Sequence, residues 1–327
     1  MYFYKPKTKG SNGPVNQNKR MGNILEVNKV VKKYGDFIAL NEVSLTVPKG
    51  SIYGLLGPNG AGKTSLIRII NQITMPDSGE ILLDGEKLQP KHVQYIGYLP
   101  EERGLYKSMK VGEQCLYLAQ MKGLSKAEAQ KQLEYWFERL EIKGWWNKKI
   151  QELSKGMAQK IQFVVCVLHK PKLLIFDEPF SGFDPVNANL IKDEILELQK
   201  QGSTIIFSTH RMESVEELCD HIALLHKSNK LIEGRLDEVK KKYRTNSFEV
   251  GILTDNVEGL MFDITQKFTV GQTHFKSLND ELKLEIQLGN ATPNELLHLL
   301  TQRGQVTHFL EKIPSVNDIF IKTVTEE

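Results

Sequence analysis

The sequence predicts an α/β protein built on a largely parallel sheet, followed by a small α+β domain. Two observations predict the first part: strand-like apolar runs alternate with helical segments, and a glycine-rich loop joins one such strand to a helix. A third observation predicts the second part, because the composition changes after residue 246 and new strand-like runs begin there. A length of 327 residues has room for roughly two domains.

The first half of the chain is predicted to pass from strands to helices. Three strand-like runs and one helical run come first: "ILEVNKVVKKYG", "ALNEVSLTVPKG", "SIYGLLG" and then "TSLIRIINQI". Residues from about 101 to 170 are predicted to be mostly helical. Within them, "SKAEAQKQLEYWFERLEI" has apolar residues at i, i+3 and i+4, and Ser125 with Glu128 forms a capping box at its start.

Strand signals then return and alternate with helices. The strands are "KLLIFDE", "STIIFSTH" and "HIALLHKSNKLIEG", and the helices between them are "PVNANLIKDEILELQKQG" and "MESVEELCD". This alternation favours a parallel sheet. After residue 246, "SFEVGILT", "ELKLEIQLG" and "VTHFLEKI" are predicted strands. "TPNELLHLLTQRG" is a predicted helix with Thr292 as its cap and Glu295 three residues later, and "PSVNDIFIKTV" follows as the last helix.

Composition excludes few classes of protein. The chain is 40% hydrophobic and 25% charged, as in an ordinary soluble globular protein, and its net charge of +3 is too small to indicate nucleic-acid binding by itself. Cys115, Cys166 and Cys219 form no C-x-x-C pair, and we expect reduced, inert thiols. No run approaches the roughly 18 apolar residues of a membrane helix, so a function at a membrane would require another chain to cross it.

The N-terminal residues 1–22 are predicted to be a disordered tail. Residues 1–20 contain five basic residues, no acidic ones, and several Gly, Asn and Pro. They lack the apolar core of a signal peptide. A basic arm that contacts anionic lipid is the alternative interpretation. Met21 is a plausible second start, because the alternating strand pattern begins just after it.

"GPNGAGKT", residues 57–64, matches the phosphate-loop pattern G-x-x-x-x-G-K-[ST] in the expected setting between a strand and a helix. Its glycines let backbone N–H groups converge on phosphate oxygens, and Lys63 adds a positive charge for the β- and γ-phosphates. Thr64 offers a hydroxyl to Mg²⁺, and Ser65 is predicted to bond an α-phosphate oxygen. The predicted ATP-binding residues of this loop are Gly57, Pro58, Asn59, Gly60, Ala61, Gly62, Lys63, Thr64 and Ser65.

"LLIFDEP", residues 173–179, is an apolar strand that ends in two carboxylates. Asp177 at the strand tip suits a contact to Mg²⁺ through water, and Glu178 points towards the place of an attacking water. In isolation such a pair would most often be surface charge. Downstream of a phosphate loop, the pair predicts catalysis of ATP hydrolysis.

Residues 23–235 resemble the ATP-binding subunit of ABC transporters. The resemblance rests on the order and spacing of the phosphate loop, the signature-like "LSKGM" (153–157), "LLIFDEP", "SGFD" (181–184) and "STH" (208–210). "GYLPEERGLYKSMKVGE" and "PSVNDIFIKTV" look more narrowly like export-type ATPases with an extra C-terminal domain, a group that includes the sodium-efflux, NatA-like ATPases. The resemblance implies a P-loop ATPase domain over 23–240, with a helical subdomain at about 101–165, and an accessory domain over 245–327.

The resemblance also implies a site shared between two subunits. Neither Ser154 nor Gly156 has an obvious role inside its own subunit. In the family, two subunits pack head to tail, so Ser154 would hydrogen-bond the γ-phosphate held by the partner and Gly156 would permit close approach of the backbone. ATP would then hold the dimer closed, and hydrolysis would release it. Lys155 and Met157 stand where Gly and Gln are common, and Lys155 either adds positive charge near the nucleotide or faces solvent.

Further roles follow from matched positions. His210 would contact the γ-phosphate and help to hold the attacking water. Asp184 would line the dimer interface, although it could instead, or in addition, cap the helix that begins at Pro185. Tyr34 lies where the family stacks an aromatic ring on adenine, with an ordinary turn tyrosine as the alternative. Glu101 replaces the usual glutamine of the loop that senses Mg²⁺ and the membrane partner, and we expect modified coupling rather than lost hydrolysis.

The resemblance therefore implies an ATP- and Mg²⁺-dependent ATPase subunit at the cytoplasmic face of the cell membrane. Its expected partners are a separate integral membrane permease, contacted near residues 101–106, and a second ATPase subunit, with a homodimer favoured. We expect no nucleic-acid partner. The alternatives are a soluble ABC ATPase that is not coupled to transport and a nucleotide-binding regulator that does not hydrolyse ATP.

Overall fold

The computed structural model describes residues 22–101, 104–271 and 281–325. The predicted tail, the proposed basic arm and the second start at Met21 therefore lie outside the described residues, apart from Gly22. Within the described part, the chain forms a four-stranded, a six-stranded and a second four-stranded sheet.

The first sheet is antiparallel and has the strand order β2-β1-β4-β5. The sequence prediction of a largely parallel sheet did not include this separate antiparallel sheet. Its first two strands pair antiparallel for a local reason: Tyr34 pairs with Phe37 across a tight turn at Gly35, and so short a connection permits only antiparallel pairing. The strands are β1 (Asn23–Tyr34), β2 (Phe37–Pro48), β4 (Ser78–Leu83) and β5 (Glu86–Lys87).

The second sheet has the order β10-β9-β3-β8-β7-β6, and all of its neighbouring strands are parallel except the β9–β10 hairpin. This confirms the parallel sheet predicted from the alternation of strands and helices. Strands β3 and β7 are buried along their whole length, as continuous apolar runs predict. The strands are β3 (Ile52–Leu56), β6 (Ile96–Leu99), β7 (Leu173–Asp177), β8 (Thr204–Thr209), β9 (His221–His226) and β10 (Asn229–Arg235).

Helices cover both faces of the second sheet. Tyr53 and Leu66 belong to a core shared with the first sheet and α1, whereas Phe163 and Phe176 belong to a core on the other face. The predicted helical content after residue 101 is confirmed, including the Ser125–Glu128 capping box of α3. The helices are α1 (Lys63–Ile70), α2 (Val111–Met121), α3 (Lys126–Arg139), α4 (Lys155–Val167), α5 (Pro185–Lys200), α6 (Met212–Leu218) and α7 (Leu236–Lys242).

The third sheet is antiparallel, with the order β12-β13-β11-β14, and shares a separate apolar core with two helices. Thr292 caps α9 as predicted, by accepting a hydrogen bond from the Glu295 amide. Helix α8, which begins after Asn256, was not predicted. The elements are β11 (Ser247–Leu253), α8 (Val257–Lys267), β12 (Thr269–Val270), β13 (Leu282–Gln287), α9 (Pro293–Arg303) and β14 (Gln305–Glu311).

The last helix, α10 (Val316–Thr325), leaves this sheet and packs against α6. Val316 and Ile319 are each 2% exposed and belong to the core formed by α2–α6 on the second sheet. The final element of the predicted accessory domain therefore contacts the ATPase domain directly.

Candidate nucleotide site

The chemistry-bearing loops meet at one edge of the second sheet. Strand β8 lies between β3 and β7, with Leu56 beside Thr209 and Asp177 beside Ser208. The three strands run parallel, so the loops at their carboxyl ends emerge side by side. This arrangement brings the phosphate loop, the paired carboxylates and His210 together, as the order of the motifs predicts.

The phosphate loop depends on glycine at both of its ends. Gly57 has φ 145° and Gly62 has φ 105°, values that L side chains rarely adopt. A Cβ atom would also lie 2.2 Å from the Leu225 carbonyl oxygen at the first position and 2.4 Å from the Ala39 carbonyl oxygen at the second. Helix α1 begins at Lys63 without a side-chain cap, so its first N–H groups are left for an anion.

Lys63 lies inside the loop and is 8% exposed. Its Nζ donates hydrogen bonds to the carbonyl oxygens of Gly57, at 2.6 Å, and Pro58, at 3.1 Å. Burial lowers the pKa of Lys63, while the negative charges of Glu178, Asp177 and Glu101 act in the opposite direction. The ammonium group is thus held close to the place that the phosphates would occupy.

Asp177 is a buried carboxylate that lies in the field of two other carboxylates. It is 5% exposed, and burial raises its pKa above the ordinary aspartate value. Glu101 and Glu178 raise the pKa of Asp177 further, and Lys63 lowers it. Three carboxylates therefore act on one lysine, a balance that a divalent cation would neutralise. Carboxylate and hydroxyl oxygens are ligands that Mg²⁺ prefers, so Asp177, Glu101 and the exposed Thr64 fit this ion.

Glu178 is held at both carboxylate oxygens. Its Oε1 lies 2.6 Å from His210 Nδ1 and accepts a hydrogen bond from the His210 amide at 2.8 Å. Its Oε2 accepts from the Thr209 hydroxyl at 3.1 Å. The backbone of Glu178 has φ 50°, an uncommon conformation that tertiary contacts must maintain. Sequence reasoning missed Thr209, although its position directly before His210 in "STH" was the available signal.

The signature loop has a local role that the sequence did not reveal. Ser154 is the N-cap of α4, because its Oγ accepts a hydrogen bond from the Met157 amide at 3.3 Å. The expectation that Ser154 lacks a role inside its own subunit is therefore wrong, because its hydroxyl satisfies one of the free N–H groups at the start of α4. The side chain is exposed, and its hydroxyl hydrogen remains able to reach an anion.

Lys155 and Gly156 contact the 181–184 loop. The aliphatic part of Lys155 covers Gly182, where a Cβ atom would lie 2.4 Å from Lys155 Cε. A Cβ atom at Gly156 would lie 3.5 Å from the Gly182 carbonyl oxygen. Lys155 itself is exposed, as one of its two alternatives predicted. Among the described residues, none of the hydrogen bonds or ion pairs joins the signature loop to the phosphate loop.

The remaining predicted residues lie at the surface. Asp184 caps α5, because its Oδ1 accepts from the Asn187 amide at 3.0 Å, which confirms the capping alternative; its interface role stays a prediction. Tyr34 is 46% exposed, with the ammonium of Lys32 5.4 Å from its ring centroid. Glu101 is exposed, and the two residues that follow it in the predicted partner-contact segment lie outside the described chain.

Comparisons with known proteins show the family of the chain. The family model described as ABC transporter matches residues 40–181, and the model described as ATP-binding protein DrrA1-3-like, C-terminal domain, matches residues 234–324. This chain matches three relatives over most of the length of each. The uncharacterized ABC transporter ATP-binding protein YhaQ of Bacillus subtilis strain 168 is 42% identical over 92% of this chain and 98% of its own. NatA of the same organism is 34% identical over 71% of this chain and 94% of its own. The Nod factor export ATP-binding protein I of Cupriavidus pinatubonensis is 30% identical over 93% and 91%.

A solved structure described as the ATP binding subunit of an ABC transporter matches with a TM-score of 0.63 and 32% identity, over 67% of this chain and 93% of the other. The fold and the loops at its sheet edge thus define a P-loop nucleotide-binding protein. The chain belongs to the ATP-binding subunits of ABC transporters and carries a DrrA-like C-terminal domain.

Among the residues that the structure describes, no helix combines the length and the apolar character of a membrane-spanning segment.

Proposed function

We propose that this chain is the Mg²⁺-dependent ATPase subunit of an export-type ABC transporter. The observation that carries the proposal is the arrangement around Glu178, whose carboxylate is fixed by Thr209 and His210 beside the buried Lys63. A carboxylate held at the edge of a phosphate loop suits the orientation of a water for attack on phosphorus. The similarity to a Nod factor export ATP-binding protein supports the direction of transport.

In the proposed reaction, residues 57–65 bind the phosphates of ATP and Tyr34 stacks on the adenine. Lys63 exchanges its bonds to the Gly57 and Pro58 carbonyl oxygens for bonds to β- and γ-phosphate oxygens. Thr64, Asp177 and Glu101 would hold Mg²⁺, partly through water. When bound, this ion supplies positive charge that neutralises phosphate oxygens.

Glu178 accepts a hydrogen bond from the attacking water and so points its oxygen at the γ-phosphorus. His210 contacts the γ-phosphate, and its link to Glu178 ties the positions of the two side chains together. The new P–O bond forms as the bond between the γ-phosphorus and the bridging oxygen breaks, which leaves ADP and inorganic phosphate. The proton of the water is transferred to Glu178 or to the phosphate.

The proposed unit of function is a dimer on the cytoplasmic face of the membrane. A second ATPase subunit supplies Ser154 and Gly156 to each nucleotide, and Asp184 lies at the interface. A separate integral membrane permease contacts the surface that follows Glu101. Ser154, Lys155 and Asp184 are each exposed, which supports this assignment because a partner subunit could reach them.

ATP hydrolysis by the purified chain tests the catalytic half of the proposal. We expect Mg²⁺-dependent turnover in the wild type and about a 100-fold or larger loss of kcat in Glu178→Gln, with retained ATP binding. Equal turnover of the two proteins would refute the role of Glu178, and absence of turnover in the wild type with its membrane partner would refute the ATPase function. Purification of the tagged chain from detergent-solubilised membranes tests the partner, since a soluble ABC ATPase would be recovered without an integral membrane protein.

A further inference from the structure

The accessory part of the chain reaches the helix that follows the candidate catalytic histidine. Helix α10 begins at Val316, whose amide donates a hydrogen bond to Glu216 Oε1 on α6 at 2.6 Å. One turn later, Ile319 is buried in the same core as Val215 and Leu218 of α6. The contact therefore combines a charge-assisted hydrogen bond with apolar packing.

Helix α6 is poorly stabilised by itself. It contains seven residues and has no side-chain hydrogen bond at its N-cap, Arg211. Isolated helices of this length are unstable in water, so the position of α6 depends on the elements packed against it. Glu216 receives two such supports, from the Val316 amide and from the Lys240 ammonium of α7 at 2.7 Å.

The start of α10 is itself well defined. Ser315 Oγ accepts a hydrogen bond from the Asp318 amide at 3.1 Å, and Asp318 Oδ2 accepts from the Ser315 amide at 2.9 Å. This reciprocal pair forms a capping box. A rigid helix start is therefore attached to α6, rather than a loose chain end.

His210 and the start of α10 line the same cleft. The cleft has a volume of about 670 Å³, and α6 begins two residues after His210. Movement of α6 would consequently change the position of His210 relative to Glu178. Misplacement of a catalytic group by about 1 Å can cost on the order of 100-fold in rate. The cleft-lining residues are His210, Arg211, Met212, Glu213, Glu216, Ser315 and Asn317.

We propose that α10 positions His210 through α6, with Glu216 as the positioning residue that joins the two helices. The accessory domain then sets the geometry in which His210 and Glu178 act on the γ-phosphate. The inference rests on the proposed function, because it requires ATP hydrolysis that depends on His210.

Kinetics of Glu216→Ala test the proposal in the full-length chain. We expect about a tenfold lower kcat with the KM for ATP changed by less than about twofold, because geometry is lost and nucleotide contacts are not. Glu216→Gln should retain most of the activity, since its amide oxygen can still accept from the Val316 amide. Glu258→Ala is the control: it removes the same charge from an exposed position of α8, outside the cleft, and should preserve kcat.

A double variant separates positioning from general stability. In the His210→Ala background, Glu216→Ala should reduce kcat by less than about twofold, because the residue acts through a side chain that is already absent. A full tenfold loss in both backgrounds would overturn the proposal. If Glu216→Ala does not fold, Ile319→Ala loosens α10 without altering the charge of α6, and it should lower kcat without raising KM.

The outcomes also separate this inference from the proposed function. If the wild type hydrolyses ATP and Glu178→Gln does not, whereas Glu216→Ala and Ile319→Ala both have the wild-type kcat, only the inference about α10 fails. If the wild type does not hydrolyse ATP, the proposed function fails.

Discussion

The two halves of the candidate site differ in how their polar groups are used. In the phosphate half, Lys63, Asp177 and Glu178 are each at most 8% exposed and interact with one another. In the signature half, Ser154 and Asp184 are exposed and each caps the helix that follows it. Burial of charge is costly unless the charges are paired, so the first half must be organised within the chain.

The comparison shows why only one half is recognisable as a site within a single chain. A helix cap satisfies a local need of the backbone and leaves the rest of the side chain facing outward. Ser154 can therefore perform a structural role in its own subunit and the proposed γ-phosphate role in its partner's site. Substitutions at three positions, ordered by the size of the expected effect, test this contrast.

The largest effect is expected for Lys63→Met. Loss of a charged donor inside the loop should weaken ATP binding by about 10- to 100-fold, since hydrogen bonds to charged groups contribute about 1.5–3 kcal/mol. Titration of a fluorescent ATP analogue measures the Kd. The control is Lys155→Met, the same substitution in the exposed half, for which we expect a Kd within about twofold of wild type. Equal effects at the two positions would remove the distinction between the halves.

An intermediate effect is expected for Ser154. Ser154→Ala loses the α4 cap, which costs about 1 kcal/mol of stability, and should lower turnover about tenfold while the Kd for ATP is retained. Ser154→Asp separates the two roles: its carboxylate caps the helix but has no hydroxyl hydrogen and repels phosphate. We expect wild-type thermal stability and low turnover, and high turnover of Ser154→Asp would contradict the γ-phosphate role.

A mixture of Lys63→Met and Ser154→Ala tests whether the contact crosses between subunits. A mixed head-to-tail dimer contains one site in which both residues are wild type, so turnover should rise above that of either variant alone. In an equal mixture roughly a quarter of all sites are intact, so the restored turnover should be at most about a quarter of the wild-type turnover. If Ser154 acted within its own chain, no intact site would arise and mixing would restore nothing.

The smallest effect is expected for Glu101→Gln. The loss of one carboxylate should raise the Mg²⁺ concentration for half-maximal turnover about two- to fivefold, with little change in kcat. Because Glu101 raises the pKa of Asp177, the variant should lower that pKa. Protons compete with Mg²⁺ for Asp177. As the pH is lowered, the Mg²⁺ concentration that the wild type requires should therefore begin to rise at a higher pH than the concentration that the variant requires.

Titrations of Mg²⁺ at a series of pH values measure both quantities. Glu134→Gln, which removes an exposed carboxylate from α3, is the control and should match the wild type. If Glu101→Gln changed neither the rate, the Mg²⁺ dependence nor the coupling to transport, the idea of modified coupling at this position would be abandoned.

Sequence reasoning succeeded where the cause is local or periodic. The Ser125 and Thr292 caps, the buried strands β3 and β7 and the phosphate-loop pattern are each encoded in a short stretch of sequence. Sequence reasoning failed for α8. Asn256 caps this helix, but the third helical position is Gly259 rather than Glu or Gln, so the capping-box pattern that reveals a helix start is absent there.

The sequence by itself determined the phosphate-loop pattern of residues 57–64 and its place between a strand and a helix, because both are encoded in one short stretch of residues. Only the tertiary structure decided that Thr209 and His210 hold Glu178 and that α10 is attached to α6 through Glu216. The residues in these contacts are 31 or 32 positions apart in the first case and 100 in the second. No local preference encodes such pairs, which form only when packing brings distant elements together.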